Sequence, residues 1–171
     1  MCSPHCPIVR TVLSCDEQSP LEARVAPLVY GLNALGVVQT TWSCEGHENE
    51  CGELQRLPRV WFYSPSVAYV GLVHDYVYGL HLRLLLGREW RVTTVGQINS
   101  LECPLFALEP GEPSVNSRKE PELKGKSTSA LGELHRDLSQ LAKSFEGDVR
   151  TMARQEVQKI EAFLSNCPES T

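Results

Sequence analysis

The sequence predicts an α+β fold, a mixed sheet of about four or more strands with packed helices, continued by a long C-terminal helix or helical hairpin. Three observations predict it. Apolar residues recur at spacings of three and four across residues 20–35 and 66–86. Four short β-rich segments, 37–43, 59–63, 90–95 and 103–108, lie between and after those stretches. A third run of three-and-four spacing starts at Leu131, beyond a stretch almost free of large apolar residues.

Residues 1–19 are polar and carry cysteines, as a terminal arm does. Leu21, Val25, Leu28, Val29, Leu32 and Leu35 then line a first helix, with Pro20 in its first turn and Gly36 as its stop. Pro27 inside that run is expected to kink the helix or divide it. The strand at 37–43 ends at Cys44-Glu45-Gly46-His47, where the chain must turn, and the strand at 59–63 is stopped by Ser64-Pro65. The second helix runs to Gly87, and Val70, Val73, Val77, Leu80 and Leu84 form its buried stripe. Two more strands follow, separated by the polar residues 97–100.

Residues 110–129, rich in Pro, Gly, Ser, Lys and Glu, have the composition of a flexible linker. They divide an α+β domain at 20–109 from a helical segment at 130–166. In that segment Leu131, Leu134, Leu138, Leu141 and Phe145 form one stripe, and Met152, Ile160 and Leu164 continue it more loosely past a hinge near Gly147. The stripe can pack back on the body or pair with a second copy as a coiled-coil homodimer.

A chain of 171 residues with 42% hydrophobic and 22% charged residues can bury one sizeable core, which excludes disorder throughout. Its formal net charge of −5 repels phosphate, so nucleic acid is an unfavoured partner and a small-molecule ligand the expected one. The most apolar segment, 67–86, is broken by His74, Asp75, His81 and Arg83 and makes a poor membrane span. Residues 1–13 lack a basic stretch followed by a long apolar one, so no secretory signal is expected and the location is expected to be cytoplasmic. Seven cysteines, an odd count without a signal, favour metal binding, reactive thiols or burial over a disulfide framework.

Reactive groups are densest in Thr40-Thr41-Trp42-Ser43-Cys44-Glu45-Gly46-His47, followed by Cys51. As a metal site, Cys44, His47 and Cys51 offer zinc three ligands in a C-x2-H-x3-C spacing. The fourth would come from Glu45, Cys15 or the arm residues Cys2, His5 and Cys6. As a catalytic site, Cys44 is the nucleophile, His47 its base and Glu45 or Asp75 the carboxylate that orients the base, with His74 and His81 as alternative imidazoles. Thr41, Trp42, Ser43 and Gly46 would then line a ligand pocket. Plain structure accounts for the same residues: threonines suit strands, a serine hydroxyl bonds nearby backbone, and free cysteine and tryptophan are commonly buried.

The residues Asn33, Thr40, Thr41, Ser43, Cys44 and Gly46 spell N-x6-T-T-x-S-C-x-G. This resembles the signature of the wybutosine-synthesis methyltransferase family, which methylates a tricyclic guanosine derivative in phenylalanine tRNA with S-adenosylmethionine. The order of elements is also similar: a helix before the Ser-Cys motif, a strand holding Trp61, a helix, and a late strand like Leu101-Glu102-Cys103-Pro104-Leu105. The resemblance spans about residues 20–108 and implies that fold, a pocket at Thr41, Ser43, Cys44 and Gly46, S-adenosylmethionine as cofactor and a nucleobase as substrate. The family has serine, glycine and arginine after the cysteine, whereas this chain has Glu45, Gly46 and His47. With Glu48, Glu50 and Glu53 following, the local charge opposes tRNA phosphate.

Overall fold

The computed structural model describes residues 21–96, 104–111 and 129–146, together with 155, 157–159, 161, 162 and 165. Its order is α1 (Ala26–Asn33), β1 (Gln39–Cys44), β2 (His47–Glu48), β3 (Leu54–Arg56), β4 (Arg59–Tyr63), α2 (Val67–Leu82), β5 (Trp90–Gly96), β6 (Leu105–Pro110) and α3 (Ala130–Glu146). The architecture is α+β, as the patterning predicts. The sheet, however, is not mixed. Its four strands run in the order β1-β4-β6-β5 with every neighbouring pair antiparallel, and β2 and β3 form a separate two-stranded ribbon. A strand-helix-strand succession would allow β4 and β5 to lie side by side in parallel. Instead β6 folds back on β5 and enters between them, so both contacts become antiparallel.

Pro27 does not kink α1. It occupies the first turn, where a missing N–H leaves no intrahelical bond unmade, and the helix begins at Ala26; Pro20 lies outside the described residues. Helix α2 starts at its N-cap Ser66, whose hydroxyl accepts from the Ala68 amide at 3.2 Å. It stops at Leu82, short of the expected end. Leu84 takes a left-handed φ of 58°, its N–H bonds to the His81 carbonyl, and the Leu85 N–H reaches back to the Leu80 carbonyl. That is a Schellman closure, normally built on glycine, and it reverses the chain before Gly87. Val70, Val73, Val77 and Leu80 are buried as expected, whereas Leu84 is 87% exposed. Leu86, just past the closure, is buried. Strand β6 begins at Leu105, and Cys103 lies outside the described residues.

One core takes Val25, Leu28 and Leu32 from the first helical region, Val73, Val77 and Leu80 from α2, and Val60, Phe62, Phe106 and Leu108 from the central strands. Leu134, Leu138, Leu141 and Phe145 of α3 are also in it. The stripe predicted for the C-terminal helix is therefore used within the chain, packed against α1. Met152, Ile160, Leu164 and the expected hinge at Gly147 lie outside the described residues. Further along, the Tyr69 hydroxyl on α2 donates to Glu161 at 3.3 Å. Burial first, then the charge and hydrogen bond of Glu161, push the Tyr69 pKa above its ordinary value. Among the described residues no helix is long and apolar enough to cross a membrane.

Helices α1 and α3 approach closely at Gly31, where an added Cβ would stand 2.8 Å from the Phe145 Cβ. That neighbour is anchored to its own backbone and cannot rotate away. Gly31→Ala is expected to lower the urea unfolding midpoint by the equivalent of about 1–2 kcal/mol, because overpacking outweighs the gain in helix propensity. An unchanged or raised midpoint would show that the two helices separate freely.

Candidate metal centre

The candidate centre forms where β1 ends. Asn33 at the end of α1 holds the start of that strand. Its Nδ2 donates to the Thr40 hydroxyl at 2.7 Å, and its Oδ1 accepts from the Thr40 amide at 2.9 Å. Two residues of the N-x6-T-T-x-S-C-x-G pattern thus act as a clamp between helix and strand, and Thr40 is buried. A register shift between Thr40 and Trp42 then sets Trp42 opposite Trp61, with ring centroids 4.8 Å apart. Trp42 keeps 42% of its surface exposed, and Thr41 and Ser43 are half-buried beside it.

Cys44 ends the strand and is 3% exposed. The next turn depends on Gly46, whose φ of +88° is open to glycine and strained for other residues. Its N–H points at the Cys44 sulfur, 3.4 Å away. The turn also brings the imidazole of His47 back toward that sulfur, although only two residues separate them. The ribbon fixes the direction of departure, since His47 pairs with Arg56 across β2 and β3.

The third group is Glu22, which precedes α1. One of its oxygens meets His47 Nε2 at 3.0 Å and the other accepts the Glu45 amide at 2.7 Å. Ligand atoms of Glu22, Cys44 and His47 all lie within 4.8 Å of one another. Zinc bonds of about 2.0–2.3 Å put tetrahedral ligands about 3.4–3.7 Å apart, so modest side-chain rotation would close this set on a cation. A cation there would replace the proton that links His47 to Glu22, and the Glu45 amide would hold the second Glu22 oxygen in place.

Glu45 supports the site through its peptide unit. Its amide holds Glu22, its carbonyl meets His135 Nε2 of α3 at 3.0 Å, and its carboxylate accepts the backbone amide of Arg24 at 2.9 Å. The carboxylate that reaches His47 is therefore Glu22, and Glu45 positions. Cys51 is exposed in the turn of the ribbon, where its amide donates to the Asn49 side chain, and it is not among the clustered groups. Cys2, His5, Cys6 and Cys15 lie outside the described residues. His74 and His81 sit on α2 beside Tyr78, with His74 stacked on its ring at 6.2 Å.

No sequence cue marked Glu22. It stands 23 positions before Glu45, and the packing of α1 against β1 brings the two together. The chain matches no protein-family model, no curated protein and no solved structure.

Proposed function

We propose that the protein is a metal-binding protein in which Glu22, Cys44 and His47 hold a divalent cation, with zinc as the best match. The approach of a carboxylate, a thiol and an imidazole to within 4.8 Å carries this reading. A mixed O, S and N donor set suits zinc better than magnesium or calcium, which favour oxygen alone. Burial of Cys44 suits a ligand better than an exposed nucleophile. Three protein ligands leave a fourth position for water or a small ligand, which is the layout of catalytic rather than structural zinc sites. Zinc bound there would polarise that ligand or lower the pKa of a bound water, and Glu45 would keep Glu22 aligned.

The test is zinc titration of chelator-treated protein, followed by dialysis and metal analysis. One ion per chain is expected, with affinity lowered about 100-fold or more in both Cys44→Ser and His47→Ala and unchanged in Cys51→Ser. Full metal content in the first two variants would overturn the reading.

A second reading is methyl transfer from S-adenosylmethionine to a nucleobase. It is supported by the resemblance to the wybutosine-synthesis family, since Cys44 and Gly46 of the shared pattern lie in the candidate centre. Calorimetry showing no S-adenosylmethionine binding at millimolar concentration would remove it.

A further inference from the structure

On the other side of Glu45 lies an open groove of about 540 Å³ between Arg24 and the solvent-facing side of α3. Its charged lining is Arg24, Arg136 and Lys143, with His135 beside them, and no carboxylate lines it. This is unusual placement on a chain whose formal charge is −5. The acids of α3, Glu133, Asp137 and Glu146, do not line it. Asp137 is buried against Trp90, and Glu133 stands 3.9 Å from Arg136 in a loose exposed pair. Neither Arg24 nor Lys143 has an ion-pair partner among the described residues.

An ordinary solvated helix face would carry both signs and have nothing across from it. Here Arg136, Ser139, Gln140 and Lys143 share one face of α3, and Arg24 from a different part of the chain forms the facing wall. Two guanidinium forks and an ammonium around one concavity suit an oxyanion with at least two charges. We infer that this groove binds a multiply charged oxyanion, a phosphoryl or polycarboxylate group of a small ligand. The backbone amide of Arg24 and the ring of His135 both bond Glu45, so the bound anion would adjoin the turn that links Cys44 to His47.

The test uses full-length, chelator-treated protein, so that the outcome is independent of metal binding. Calorimetric titration with inorganic pyrophosphate and, separately, citrate is expected to show one site per chain. A response to pyrophosphate alone assigns a phosphoryl ligand, and an equal or stronger response to citrate assigns a polycarboxylate. Arg24→Gln and Lys143→Gln alter exposed side chains and should leave the fold intact by circular dichroism. Each is expected to weaken binding at least about tenfold, while Arg91→Gln on β5 leaves it unchanged. No binding of either anion, or equal binding by all variants, overturns the inference.

Discussion

Asp137→Ala is expected to destabilise the protein by about 2–4 kcal/mol, the cost of leaving one buried and two half-buried donors without their acceptor. The side chain is 4% exposed, yet it lies on a helix whose sequence reads as a simple amphipath. It accepts the amides of Gly87 and Arg88 at 2.8 and 3.1 Å and the Trp90 indole at 3.0 Å. Gly87 and Arg88 belong to the turn between α2 and β5 and Trp90 opens β5, so one carboxylate ties α3 to the chain reversal after the Schellman closure. Alanine would leave all three without their acceptor. Asp137→Asn keeps one acceptor oxygen but turns an NH2 toward a donor, and about half the loss is expected. Urea unfolding followed by tryptophan fluorescence reads both, with Trp90 itself at the site. A loss under about 1 kcal/mol in the alanine variant would mean that water substitutes for the carboxylate.

Gly46→Ala is expected to cost about 3 kcal/mol and to disrupt the candidate metal centre together with it. Two effects add. A non-glycine residue at φ +88° is strained by about 1–2 kcal/mol. The new Cβ would also stand 2.9 Å from Leu131 Cδ1 and from the ring of Pro58. The leucine tip can rotate, but the proline ring cannot. Any shift of the turn moves the Gly46 amide away from the Cys44 sulfur and His47 away from Glu22. Gly36→Ala separates the effects, because φ there is +74° with nothing within 4 Å of the added carbon. It should cost only the strain and leave the proposed zinc binding unchanged. Thermal unfolding with metal analysis of both variants checks this, and equal losses in the two would show that contact with Pro58 is immaterial.

What the sequence disclosed follows from the range of each signal. Period-2 and period-3.6 patterns are local, so β4 was legible to its last residue, as were the buried faces of α2 and α3. The pairing of Cys44 with His47 was legible as proximity in the chain. Its geometry was not, because the turn at Gly46 decides whether such near neighbours converge. The end of α2 was misplaced because Leu84 adopts a conformation that its residue type disfavours. Glu22 and Asp137 were missed for a common reason. Each is a carboxylate whose partners are backbone amides or rings contributed by distant segments, and an isolated acidic residue in a sequence reads as surface.

The bond between His135 and the Glu45 carbonyl joins positions 90 apart in the chain. In folding terms, the cysteine turn depends on a helix that follows it by some 90 positions. Closing so long a loop costs entropy before any contact repays it, so such contacts tend to form late. During synthesis from the N-terminus, Cys44 and His47 emerge well before the element that braces the peptide between them. A thiol and an imidazole in an unbraced turn have no fixed geometry with which to select a cation. Helix α3 thereby makes completion of the core and bracing of the candidate site a single event.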